Sequence, residues 1–89
     1  MQQFTLTIIN RLGLHARAAS KFVATSSRFA STVRVRRDGK WIDGKSIMAV
    51  MMLAAGKDSV LEAETDGDDE VEAMEAILAL VNDYFGEGE

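Results

Sequence analysis

The one histidine of this chain, His15, stands in Gly13-Leu14-His15-Ala16-Arg17, between an alternating apolar run and an amphipathic one. The chain has no cysteine, so a neutral imidazole nitrogen is the nucleophile best suited to work near neutral pH. The apolar spacing that follows predicts a helix starting at Ala16, which puts His15 at a helix start. Amides there point outward, favour an added anionic group and disfavour the imidazolium form. Arg17 offers a planar fork of donors to phosphoryl oxygens. Phosphoryl transfer to and from a histidine is the chemistry these residue types fit. The plainer reading makes His15 a polar residue at a helix cap or on a loop, and Arg17 a solvated surface group.

Other chemistries fall to simple counts. A single histidine excludes His-pair metal sites, and the missing cysteines exclude thiolate metal sites, disulfides and thiol nucleophiles. P-loop and dinucleotide glycine patterns are absent, and the carboxylates are too scattered for paired-carboxylate hydrolysis. No cofactor and no metal are expected. No apolar run approaches the roughly 20 residues that span a bilayer. The opening Met1-Gln2-Gln3-Phe4 lacks the basic and apolar regions of a signal peptide. The expectation is a soluble, cytoplasmic protein without direct membrane insertion.

The net charge of −4 conceals a division. Residues 1–57 hold all 10 Lys and Arg with only Asp38 and Asp43 against them, while residues 58–89 hold the other acids and no base. This predicts a basic side and an acidic side, the former attracting an acidic macromolecule or an anionic group.

The elements that must position His15 follow from periodicity. Phe4, Leu6 and Ile8 alternate with threonines as in a half-buried strand. Ala16, Ala19, Phe22, Val23 and Ala30 form a helical stripe. Val33 and Val35 precede Asp38-Gly39, the dipeptide of a tight hairpin, and Trp41-Ile42 returns. Ser46 caps a short apolar helix that Gly56 ends. Leu61, Ala63 and Thr65 read as a last strand, with carboxylates from Asp66 to Glu70 opening a long helix on Val71, Met74, Ile77, Leu78, Val81 and Phe85. The tail Gly86-Glu87-Gly88-Glu89 is expected to fray. Strands with one apolar face assemble into an open-faced α+β sandwich, a four-stranded antiparallel sheet with three helices on one face in the order βαββαβα. Residues 1–89 are expected to form one domain.

Gly13-Leu14-His15-Ala16-Arg17 and the separate Gly44-Lys45-Ser46-Ile47-Met48, with the element order across the whole chain, resemble the HPr family of histidine phosphocarriers of the bacterial phosphoenolpyruvate-dependent sugar phosphotransferase system. The resemblance implies that enzyme I phosphorylates His15 at Nδ1, that Arg17 stabilises the phosphoryl group, and that His15 passes the group to IIA components of sugar permeases. The chain would then be a carrier and not an enzyme. It further implies a regulatory phosphorylation of Ser46 by HPr kinase/phosphorylase, a role compatible with capping. The family motif has proline where this chain has Ala18. Proline does no chemistry there, so only a modest change in rigidity is expected.

Ile47, Met48, Met51 and Met52 cannot all enter one core. The bland reading gives Val50 and Leu53 the core, with the others partly lining it. The resemblance favours Ile47, Met48 and Met51 as an exposed docking patch for several partners, rimmed by Arg11, Lys21, Arg28 and Lys45. A monomer is expected. The competing readings are a carrier of the nitrogen-related branch of the same system, a small nucleic-acid-binding module using Arg34, Arg36 and Arg37, and an interaction domain with an incidental His15. Few aromatics and a strongly acidic second half argue against nucleic acid as a partner.

Overall fold

The alternation of Phe4, Leu6 and Ile8 becomes strand β1 (Gln2–Thr7) in the computed structural model, which describes residues 1–89. Helix α1 (Ala16–Ser26), strands β2 (Thr32–Arg36) and β3 (Ile42–Asp43), helix α2 (Ile47–Met52), strand β4 (Val60–Asp66) and helix α3 (Glu70–Asn82) follow. A 3-10 turn, Tyr84–Gly86, is added after α3. The sheet order is β1-β4-β2-β3, antiparallel throughout. β4 is central because its apolar row meets one on each side: Ala63 lies opposite both Phe4 of β1 and Val35 of β2. That face of the sheet joins Ala18, Ala19 and Phe22 of α1, Val50 of α2, and Ile77 and Val81 of α3 in one core. Burial of each large apolar side chain contributes about 1.5–3 kcal/mol. No helix is long and apolar enough to cross a membrane.

The opposite face of the sheet carries charge. Arg34 pairs with Glu64, and Arg36 with Glu62 at 2.9 Å, in each case directly across from its partner in register. Such opposed pairs contribute about 0.2–1 kcal/mol each. They also bring a basic stretch and an acidic stretch of the chain together. The pairing of β2 with β4 interleaves the two halves of the chain and neutralises these four charges locally.

Several boundaries differ from the sequence reading, each for a local reason. The pairing of Val35 with Ile42 agrees with a turn centred on Asp38-Gly39, yet neither residue takes the positive φ of a tight primed turn, and residues 37–41 leave the ladder. Arg36 instead stacks over the Trp41 ring at 4.5 Å. In α1 the buried positions are Ala18, Ala19, Phe22 and Ser26, Ala16 is exposed, and Ala30 lies beyond the helix end. In α3 Val71 is exposed and Ala73 takes its place in a stripe with Ile77 and Val81. Gly56 does not stop α2. Ala54 makes the left-handed turn at φ 52°, and Arg37 Nη1 donates to the Leu53 and Ala54 carbonyls at 3.2 and 2.9 Å, satisfying groups that a helix end leaves open.

The carboxylates before α3 do more than face a dipole. Asp69 accepts from the Ser31 hydroxyl and from the Ala30 and Ser31 amides, both at 2.9 Å, tying the start of α3 to the segment after α1. The Ser31 hydroxyl, then the two amides, hold its carboxyl below the usual 3.8. Because the folded value is the lower one, the ionised carboxylate stabilises the fold above about pH 3.8, and this is lost as pH falls through the lower folded value. Asp69→Ala should therefore lower the thermal midpoint at pH 7 and leave a smaller further decrease on acidification below pH 3.8 than wild type shows.

Candidate functional site

The loop that presents His15 is clamped to the segment after α2. Gly13 has φ +68°, and a Cβ there would lie 2.6 Å from the Ala55 carbonyl oxygen, so both conformation and space require glycine. Leu14, itself buried, donates its amide to that same oxygen at 2.8 Å. His15 is the N-cap of α1 with an extended backbone, φ −70° and ψ 176°. Its carbonyl accepts from the Ala19 amide at 2.8 Å, while its ring makes no capping bond. The ring is thus left for other partners beside the open amides of the first helical turn.

His15 and Arg17 line a cleft of about 320 Å³ with Arg11, Leu12, Lys21, Gly86, Glu87 and Glu89. The Arg17 guanidinium has no carboxylate partner and forms no hydrogen bond, so it remains available to an anion in the cleft.

The acidic tail, expected to fray, is folded across this cleft. Phe85 is fully buried and anchors it. Lys21 Nζ donates to the Phe85 carbonyl at 2.7 Å, and Arg11 binds Glu89 through its backbone amide at 3.0 Å and its Nε at 3.1 Å. Between these anchors, Glu87 Oε2 meets His15 Nε2, and Glu87 Oε1 accepts from Asn10 Nδ2 at 3.0 Å. Asn10 is fully buried, and its Nδ2 also donates to the Gly13 carbonyl at 2.8 Å. Burial pushes the Glu87 carboxyl up, but hydrogen bonds from Asn10 and His15 and the nearby charges of His15 and Lys21 outweigh it and leave the group below its usual 4.5.

The regulatory and docking candidates lie elsewhere. Ser46 is the N-cap of α2, its hydroxyl accepting from the Ala49 amide at 3.3 Å. The His15 loop touches the segment beyond the other end of that helix, at Ala55. At about 1.5 Å per residue, α2 separates the two by about 9 Å along its axis. Val50 is fully buried and Leu53 packs against the core, whereas Met48 is 75% exposed and Ile47 and Met51 are each 42% exposed. The four cations expected around this patch have contacts of their own. Arg11 and Lys21 belong to the His15 cleft, while Lys45 Nζ donates to the Phe29 carbonyl and Arg28 stacks on the Phe29 ring. Ser46→Ala should cost about 1 kcal/mol, read from the denaturation midpoint, through loss of the cap alone.

A family model described as the PTS HPr component phosphorylation site matches residues 2–83. The phosphocarrier protein HPr of Neisseria meningitidis serogroup A is 56% identical, with all 89 residues of this chain and the full length of that protein covered. The chain belongs to the HPr family. The HPr of Cupriavidus necator is likewise 56% identical over the full length of both chains. A crystal structure of HPr from Thermoanaerobacter tengcongensis matches with a TM-score of 0.94 at 42% identity, covering 98% of each chain. Family membership makes the chain a phosphoryl carrier of the phosphotransferase system.

Against the HPr pattern, Ala18 occupies the third position of α1, where an amide has no acceptor within the helix, and its methyl group is fully buried. Restoring the family proline by Ala18→Pro should change stability by no more than about 1 kcal/mol and leave phosphoryl acceptance intact, as chemical denaturation and a transfer assay would show. The arginines offered for nucleic-acid binding are engaged within the fold, Arg34 and Arg36 with carboxylates and Arg37 with carbonyls. Two members of the site were missed in sequence, Asn10 and Glu87. Asn10 reads as a loop residue, and Glu87 sits between glycines in a segment without periodicity.

Proposed function

We propose that His15 accepts a phosphoryl group from enzyme I in the cytoplasm and passes it to IIA components of sugar permeases, with Arg17 neutralising charge on the group in transit. The observation that supports this most directly is the placing of the only histidine as the N-cap of α1, inside a cleft with Arg11, Arg17 and Lys21. The Arg17 guanidinium and the helix-start amides beside His15 both stabilise the charge of an added phosphoryl group, while Lys21 and Arg11 hold the tail. Ile47, Met48 and Met51 supply an adaptable apolar surface for partners that differ from one another. Ser46 is the regulatory site: a phosphate on its hydroxyl places negative charge at the start of α2, beside this surface, and repels acidic partners.

Incubation with phosphoenolpyruvate and enzyme I should add one group of about 80 daltons that survives alkali and is lost in acid. An unmodified mass would reject the proposal. The kinase should add a second group, acid-stable and absent from Ser46→Ala. Comparing transfer rates from the sugar-type and nitrogen-type enzyme I assigns the branch.

A further inference from the structure

The contact between Glu87 and His15 distinguishes the two nitrogens of the ring. An ionised carboxylate only accepts hydrogen bonds, so the ring nitrogen that faces it must carry a proton. In the structure that nitrogen is Nε2, against Glu87 Oε2. We propose that Glu87 is a positioning residue that holds the proton on Nε2 and thereby presents Nδ1, with its lone pair, as the nucleophile. This rests on His15 being the phosphoryl acceptor and adds the group that prepares it.

The site is built for this contact. Glu87 Oε1 is held by Asn10 Nδ2, which uses its other hydrogen on the Gly13 carbonyl, so one buried amide ties Glu87 to the loop that carries His15. Anchors flank Glu87 on both sides, Phe85 in the core with its carbonyl on Lys21, and Glu89 on Arg11. The chain takes left-handed turns at Tyr84, Phe85, Gly86 and Gly88 to bring the carboxylate back over the cleft. Non-glycine residues adopt that conformation at a cost, so the path is held by contacts and is not a default of the backbone. Residues 84–89 lie outside the part of the chain that the family model matches.

The chemistry balances with no further reactant. The Nδ1 lone pair forms the bond to phosphorus as the bond between phosphorus and the donor breaks, its electron pair leaving with the donor. No proton moves: Nε2 keeps its hydrogen, and the positive charge the ring acquires faces the Glu87 carboxylate. Onward transfer reverses these changes. A carboxylate that orients an imidazole and stabilises its cation is a recurrent arrangement, whose removal typically costs 10-fold or more.

The test compares the full chain with Glu87→Ala and with Glu87→Gln, whose single oxygen, held by Asn10 Nδ2, leaves its NH2 to donate to Nε2. Nitrogen-15 shifts of the neutral His15 ring read the tautomer without any partner protein. Wild type should show the proton on Nε2, Glu87→Gln the proton on Nδ1, and Glu87→Ala a mixture of both tautomers. Phosphorylation by enzyme I should be about 10-fold slower in Glu87→Ala at saturating carrier, with KM unchanged, and slower still in Glu87→Gln. Identical ring shifts in wild type and Glu87→Ala, or equal losses of rate in the two variants, would overturn the proposal. Failure of wild-type protein to acquire any phosphoryl group refutes the carrier reading instead, and the tautomer shifts then decide the role of Glu87 without it.

Discussion

His15→Ala abolishes acid-labile phosphorylation by phosphoenolpyruvate and enzyme I, a loss of at least about a thousandfold in rate, while the fold persists. The chain contains no second imidazole and no thiol to substitute as nucleophile. Beyond its contact with Glu87 in the tail, the ring does little for the fold. As an N-cap, His15 contributes through its carbonyl, which accepts from Ala19, and alanine keeps that carbonyl. Its side chain makes no capping bond, so the usual penalty for alanine at this position does not arise. Circular dichroism and the melting midpoint should therefore stay close to wild type while mass spectrometry finds no adduct. An acid-labile group on the alanine variant would sink the assignment.

Met48→Asp weakens docking to enzyme I by about 30-fold, the equivalent of removing one interface anchor worth about 2 kcal/mol. Met48 is 75% exposed and belongs to a two-turn helix whose core contact is Val50, so the substitution leaves packing undisturbed. The charge would be placed where an apolar partner surface must give up water. Steady-state transfer should show a raised KM for the carrier with kcat at saturation unchanged, because His15 and its cleft are untouched. Val71→Asp, on α3 and 40% exposed, is the matched control and should leave KM unaltered. Equal effects of the two substitutions would remove the docking patch from the account.

The fold was readable in advance because its determinants are local or periodic: alternation marks β1 and β4, the Ser46 cap and the unbroken apolar run mark α2, and the phase of α1 is set by Ala19 and Phe22. The errors fall where a distant residue decides the outcome. Arg37, not Gly56, satisfies the end of α2, and Asp69 serves residues 30 and 31 as well as its own helix. Half of the site was legible for the same reason. His15 and Arg17 are neighbours in a motif, whereas Asn10 and Glu87 meet across 77 positions of sequence. A glutamate between two glycines has no local pattern that announces a partner. Phe85, placed on the apolar stripe of the long helix, was the one available clue that the following residues are held down.

The central place of β4 bears on how the molecule comes into being. β1 and β2 are not neighbours; what joins them is β4, the last strand in the chain. During synthesis from the amino terminus, β1 and the β2–β3 hairpin must leave the ribosome without the strand that joins them, their apolar faces uncovered. The sheet can close only after Asp66 has emerged, so assembly of the core is governed by long-range closure late in translation. Until then, the cleft that receives the phosphoryl group does not exist.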